Sequence, residues 1–232
     1  MKTQLIILLA SMLGIPAFAM SSGNLPLEII TTRAVFPREA ALRGVDYGYA
    51  RVAIEVSPNG NLIDHLVTEC SEKEFAQEAG KLVTTASYRV PADDGQPTAV
   101  RTNLLVEFET SGLIISSDWN EIVESYLHGR QIKRTGFSLK GASEIDAAPQ
   151  LVNAVKPVYP TDWAERGISG RVLIDFYIDE TGAVRLPAIA SADFDELGTV
   201  ALDAVRQWTF AVPRHYGEPV SVHVKQVFEF NP

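Results

Sequence analysis

Residues 60–108 can be laid on residues 182–230 at a constant offset of 122 with no gap, and 11 of the 49 positions are identical. Composition alone would give about three. The identities are residues that shape a chain: Gly60 with Gly182, Pro91 with Pro213, Gly95 with Gly217, Pro97 with Pro219, and the closing Glu107-Phe108 with Glu229-Phe230. Upstream the offset slips to 123, pairing Pro37 with Pro160, Arg43-Gly44 with Arg166-Gly167, and Val45 with Ile168. A turn where Asp46-Tyr47-Gly48 faces Ser169-Gly170 absorbs the extra residue. The chain therefore writes one unit of about 75 residues twice, and each copy has to bury a core of its own. With 46% hydrophobic and 21% charged residues it can do so, and 13 Pro and 16 Gly leave no room for a long low-complexity linker.

The element order is clearest in the second copy. Residues 160–166 read as a short helix with Pro160 at its start and Gly167 as its stop. Residues 171–179 then alternate: Val172, Ile174, Phe176 and Ile178 face one side, Arg171, Asp175 and Asp179 the other. Asp179-Glu180-Thr181-Gly182 predicts a hairpin turn, and residues 183–190 a short return strand that Pro187 weakens or places at an edge. Leu197, Val200, Ala201, Ala204, Val205 and Trp208 predict a helix over 196–208. After the Tyr216-Gly217-Glu218-Pro219 turn, residues 220–230 form a long strand, with Ser221, His223, Lys225 and Glu229 opposite the apolar face. The first copy repeats this grammar. Ser71 and Glu74 predict a capping box for its helix, and Ala86 stands where Trp208 stands, which predicts a weaker core. The fold expected is α+β: two copies of a helix, β-hairpin, helix and long C-terminal strand, each a three-stranded antiparallel sheet with helices on one face.

Little in the chain points to chemistry. No H-E-x-x-H, G-x-S-x-G, P-loop or G-x-G-x-x-G run occurs. His65 and His215 lie beside turns and His223 alternates outward on a strand, so they read as surface histidines. The single cysteine, Cys70, closes no disulfide and no zinc site and reads as a small buried hydrophobe. A formal charge of −9 with no Lys/Arg cluster speaks against nucleic acid. A small sheet with two short helices has little interior volume for a substrate, so the chain is expected to be no enzyme and to carry no cofactor or metal. What such a sheet does offer is an edge. The final strand runs without proline from Val220 to Phe230, and its free backbone groups can receive a visiting strand.

At the N-terminus, Lys2, the apolar run from Leu5 to Ala10 and the ending Ala17-Phe18-Ala19 read as a secretory signal cleaved between Ala19 and Met20. Its apolar stretch of about 16 residues is shorter than the roughly 20 a spanning helix needs. The mature chain is expected to be exported and not membrane-spanning; an uncleaved leader would leave it anchored in the inner membrane. The organisation expected is a signal at 1–19, a degenerate unit at 24–110, a connecting segment at 111–147 with a helix over 118–127, and a second unit at 148–232.

One ordered series of motifs carries a family likeness: Lys156-Pro157-Val158-Tyr159-Pro160, Ala164-Glu165-Arg166-Gly167, Ser169-Gly170-Arg171-Val172, Phe176-Tyr177-Ile178-Asp179, Ala204-Val205-Arg206-Gln207-Trp208-Thr209-Phe210 and Gly217-Glu218-Pro219-Val220. Together these residues resemble the C-terminal domain of the TonB family, over residues 148–230 and, through the repeat, 31–109. The resemblance implies a periplasmic module that binds an extended segment of an outer-membrane transporter, or of another envelope protein, by strand addition. It places the receiving edge at Val220, Ser221, Val222, His223, Val224, Lys225, Gln226 and Val227, with Pro157, Tyr159 and Pro160 as a motif near the contact. Lys156 stands where the family commonly has Gln. No long Pro-rich spacer is legible, so the reading favours a tandem TonB-like binding module over a complete transducer. The alternative is a structural or assembly protein of the envelope whose sheet edges pair within the protein or in a homodimer.

Overall fold

The computed structural model describes residues 27–30, 35–93, 95–110, 112–116, 137–141, 144–159 and 161–231. The signal cleavage at Ala19 and Met20, the helix expected over 118–127, and Pro160 lie outside the described residues. The chain divides into two compact units, one ending at Ser138 and the other beginning at Leu139.

In the first unit, β1 (Glu28–Ile30) leads to α1 (Arg38–Leu42), β2 (Tyr47–Val56), β3 (Leu62–Cys70), α2 (Lys73–Thr85), β4 (Ser87–Arg89), β5 (Val100–Glu109) and β6 (Gly112–Ser116). The sheet order is β3-β2-β5-β6, all neighbours antiparallel, and β1 pairs separately with β4. In the second unit, β7 (Lys140–Gly141) and β8 (Leu151–Asn153) precede α3 (Thr161–Glu165), β9 (Gly170–Ile178), β10 (Val184–Ala192), α4 (Asp195–Val205), β11 (Thr209–Phe210) and β12 (Val222–Phe230). Its sheet order is β10-β9-β12-β7, and β8 pairs with β11. The three antiparallel strands expected in each copy are there. Each sheet also carries a short fourth strand, β6 or β7, on the outer side of the final strand.

The repeat survives in three dimensions, register included. Gly48 pairs with Phe108 and Ala50 with Val106 in one copy; Gly170 pairs with Phe230 and Val172 with Phe228 in the other. Both pairings of the first copy recur in the second at the offset of 122. The same spacing explains two conserved pairs of glycines within the chain. Gly60 and Gly182 hold φ of +78 and +87, and a Cβ at either would overlap the carbonyl oxygen of Tyr88 or Phe210, which stand at the same offset. Phe210 N–H donates to the Gly182 carbonyl across this approach (2.8 Å). Gly48 and Gly170 open the central strands, and a Cβ there would run into Phe75 or Leu197, the first large residues of the packed helices.

Alternation decides which side of each sheet is dry. Val172, Ile174, Phe176 and Ile178 are fully buried, facing Leu197, Ala201 and Val205 of α4. Each such side chain contributes about 1.5–3 kcal/mol by leaving water. In the first copy Val52, Ile54 and Val56 meet Phe75, Ala79, Leu82 and Val83 of α2. The gap expected at Ala86 is filled from elsewhere: Phe36 stacks edge-on against Phe75 (5.4 Å), Phe75 lies on Phe108 (5.4 Å), and Tyr88 donates to the Val83 carbonyl (2.6 Å). The first copy thus has a well-filled aromatic core.

One local expectation is overturned. Ser71 and Glu74 form no capping box: α2 begins at Lys73 with Glu72 as N-cap and no side-chain cap. The Ser71 hydroxyl is buried against β2 instead, accepting from Tyr49 N–H (2.9 Å) and donating to the Tyr49 carbonyl (3.3 Å). Glu74 turns to Arg43 (3.0 Å). A buried hydroxyl needs partners of its own, and here the Tyr49 backbone supplies both a donor and an acceptor, which outweighs the helix end. Cys70 is buried as expected, and that burial pushes its thiol pKa up.

Candidate functional site

The final strand β12 is paired with β9 along its whole length, from Val222 opposite Ile178 to Phe230 opposite Gly170. Its other side is only partly covered. Lys140 and Gly141 of β7 pair in parallel with Val222 and His223, and Lys140 N–H donates to the Ser221 carbonyl (3.3 Å). Because backbone groups alternate sides along a strand, that contact fixes the parity: residues 223, 225, 227 and 229 present N–H and C=O to the outer edge. Among the described residues, no strand pairs with this edge from Val224 to Phe230. The Gln226 side-chain amide folds back to donate to the Val227 carbonyl (2.7 Å), satisfying one of the exposed acceptors.

The residues expected to receive a strand fall in different settings. Val220 lies outside the strand and donates to the Pro213 carbonyl (3.0 Å). Ser221 is buried and Val222 and His223 are already paired to β7. Lys225, Gln226 and Val227 remain on the open stretch, which extends on to Phe230. The side chains there are sorted by face. Phe228 and Phe230 point toward the helices, with the Phe228 ring 5.5 Å from Trp208 and the Phe230 ring 5.7 Å from Tyr159. Lys225, Val227 and Glu229 are exposed on the far face. Arg171 pairs with Glu229 (2.7 Å) in the open, where such a pair contributes little. His223 Nε2 lies 2.8 Å from Asp175 Oδ2, with its ring 5.0 Å from that of Tyr177.

The proline-tyrosine motif is bolted to the same end of the sheet. Trp208 Nε1–H donates to the Val155 carbonyl (2.7 Å) and Tyr159 OH to the Ile168 carbonyl. Between those anchors Lys156 and Val158 stand exposed, while Pro157 is half-buried. The motif therefore holds Tyr159 against the end of β12.

Two features at the edge were not expected. The strand β7 and its anchorage are the first. Asp146 accepts from Tyr216 N–H (2.8 Å) and Gly217 N–H (2.8 Å), His215 Nδ1–H donates to the Glu144 carbonyl (2.6 Å), and Asp146 N–H donates to the Arg214 carbonyl (2.8 Å). The Gly217 and Tyr216 N–H groups hold the Asp146 carboxyl below its ordinary range. A two-residue parallel pairing leaves no periodicity to read. The second is β6, which folds back on β5 and pairs Leu105 with Ser116, Val106 with Ile115 and Glu109 with Gly112. Here a signal existed: Ser111-Gly112 followed by Leu113-Ile114-Ile115 is a turn and an apolar run.

Among the described residues no group of His, Cys, Asp and Glu is arranged to hold a metal ion. No helix of the described residues is long and apolar enough to cross a membrane. The arrangement is one of backbone donors and acceptors along a strand, with an apolar side and a polar side.

The family described as Gram-negative bacterial TonB protein C-terminal matches this chain twice, over residues 32–110 and 155–232. The chain belongs to the TonB C-terminal family. Both matched stretches coincide with the two copies of the repeat, so this TonB-family chain carries the domain in tandem. Among curated relatives, Protein TonB of Vibrio cholerae serotype O1 is 34% identical over 80 residues, covering 33% of this chain and 33% of that protein. The chain thus matches about a third of the length of that relative. Among solved structures, the solution NMR structure of the Pseudomonas aeruginosa TonB CTD aligns at 24% identity and a TM-score of 0.31, covering 38% of this chain and 89% of that one.

Proposed function

We propose that this chain is a periplasmic TonB-like binding module linked to outer-membrane transport, which takes up an extended segment of an outer-membrane transporter by adding it as a strand to the edge of β12. The observation that carries the reading is the edge itself. A nine-residue strand is anchored on one side along its length, while residues 224–230 offer their other side to a partner. Main-chain hydrogen bonds would supply affinity and the alternating side chains selectivity. Membership of the TonB C-terminal family supports envelope transport as the setting and a non-catalytic role. The leader read at residues 1–19 supports export to the periplasm.

A photo-crosslinking residue placed at Lys225 or Val227 in cells tests this. Adducts with outer-membrane β-barrel receptors are expected from both positions and not from the helix-face residue Leu202. Absence of any envelope-protein adduct from the edge positions would refute the reading.

The second reading, an envelope structural or assembly protein whose edges pair within the protein or in a homodimer, is favoured by one observation: β6 already covers the end of β5. It predicts a concentration-dependent dimer by analytical ultracentrifugation and edge amides of β12 protected in the free protein.

A further inference from the structure

The two copies part company on the side of the sheet that faces away from the helices. In the first copy that face carries Tyr49 and Arg51 on β2 and Leu105 and Glu107 on β5. Tyr49 is fully buried, Leu105 is 3% exposed, and Arg51 and Glu107 are buried with them. At the offset of 122 their counterparts are Arg171, Leu173, Val227 and Glu229. Arg171 and Glu229 are exposed, Leu173 is half-buried and Val227 is 45% exposed. The strands keep one register in both copies, so the sheet by itself does not bury this face. A further layer covers it in the first copy.

The path of the chain identifies that layer. β6 ends at Ser116 on the outer side of β5. The described chain resumes at the opposite edge, where Cys70 N–H donates to the Phe137 carbonyl (2.9 Å) and Ser138 bridges Glu69 of β3. With β3-β2-β5-β6 as the order, these two points are four strand spacings apart, about 19 Å. Residues 117–136 have to cross that width. The helix side of the sheet is already filled by Ala40 of α1 and by Phe75, Ala79, Leu82 and Val83 of α2, which leaves the far face. A helix over 118–127 reaches about 15 Å, and Trp119, Ile122, Val123 and Tyr126 form one apolar stripe along it. Charge is complementary as well. The face carries two buried or half-buried carboxylates, Glu69 and Glu107, around one guanidinium, Arg51, while residues 125–136 bring Arg130, Lys133 and Arg134 and no acid. The compact unit that holds the first copy runs to Ser138, past the end of this segment.

We infer that residues 117–136 dock across the far face of the first sheet, as an amphipathic helix over 118–127 whose Trp119, Ile122, Val123 and Tyr126 lie on Tyr49 and Leu105. The face is a helix-binding surface, and its occupant is the chain's own connecting segment. The first sheet is then covered on both faces, and the first copy serves as the anchor of the connector. This stands apart from the strand-addition reading of β12, and no outcome below bears on that edge.

Amide hydrogen exchange of the full chain, read by NMR, is the first test. Amides of residues 122–127 should exchange at least ~100-fold slower than those of an unstructured chain. Unstructured rates would overturn the inference. Position is read from a nitroxide on Ser125→Cys in a Cys70→Ala background. It should broaden the amides of Tyr49, Arg51 and Leu105 more than those of Ala79 and Val83 on the helix side. The reverse order, or broadening confined to residues 139–232, would refute the docking. Ile122→Asp with Val123→Asp should speed exchange of residues 124–127 by about tenfold or more, while α2 keeps its protection. Unchanged exchange in that variant would count against the stripe as the contact. Should the double variant fail to fold, the nitroxide reading decides.

Discussion

At the scale of single residues, the two hairpin glycines and one tryptophan carry the most legible consequences. Gly182 holds φ of +87 with the Phe210 carbonyl packed where a Cβ would go, and Gly60 stands in the same relation to Tyr88. Gly182→Ala should therefore cost about 1–3 kcal/mol, through both backbone strain and displacement of Phe210, measurable as a lower urea midpoint. Gly217, also at positive φ but with open space around it, should lose less on the same change. Trp208 packs on Phe210 and Phe228 and donates to Val155 (2.7 Å). Trp208→Ala should cost about 3–5 kcal/mol and loosen residues 155–159 together with the helix-side face of β12. Two carboxylates of the second unit contribute to the acid limb of stability. The Asp146 carboxyl is lowered by the Gly217 and Tyr216 N–H groups. Burial raises that of Asp179 but is outweighed by bonds from Thr181, Ala183 and Arg185. A group whose pKa is lower folded than unfolded stabilises above the unfolded value and loses that contribution as pH falls through the folded one. Both contributions should thus be whole at neutral pH and decline as pH falls below about 4. Thermal unfolding of Asp146→Asn and Asp179→Asn against the parent should show a deficit at pH 7 that shrinks as the pH is taken below about 4.

At the scale of elements, the edge of β12 separates stability from binding. The N–H of Lys225 points outward, away from β9, so a proline there removes no hydrogen bond of the folded sheet. Lys225→Pro should leave the unfolding transition within about 1 kcal/mol of the parent while abolishing crosslinks formed from Val227. Leu105→Pro, at the position whose outward N–H faces β6, should instead destabilise the first copy, with loss of amide protection along residues 105–109. The strands and helices of both copies were legible because burial imposes periods of 2 and 3.6 on the residues that form them. The start of α2 was not. Ser71 and Glu74 fit a capping box by spacing, but Ser71 is drawn to Tyr49 across the sheet, a partner 22 residues away in the chain. Local propensity describes only local competitors, and here the winning partner was distant. The pairing of Val222 and His223 with β7 has the same origin, since β7 comes from a segment more than 80 residues upstream.

At the scale of the whole molecule, each copy has its own buried core and its own closed set of sheet partners. Residues 139–232 alone, which retain β7, should therefore fold and unfold as one cooperative unit, visible as a single denaturant transition with a sharp amide spectrum. The tandem arrangement and the mixed α+β class follow from the sequence by itself. An ungapped repeat carries its turns, helix stripe and strand alternation along with it, and the paired registers at one offset bear this out. The TonB likeness was also legible, because its motifs fall in order along the second copy. What only the tertiary structure decided is which copy has an edge to offer. The two final strands read alike as sequences, both long, apolar and free of proline inside. One is followed directly by β6, which folds back on it; on the other, no strand among the described residues pairs beyond the two residues held by β7, which comes from more than 80 residues upstream. Backbone groups are the same in every residue but proline, so their pairing leaves almost no trace in the order of side chains.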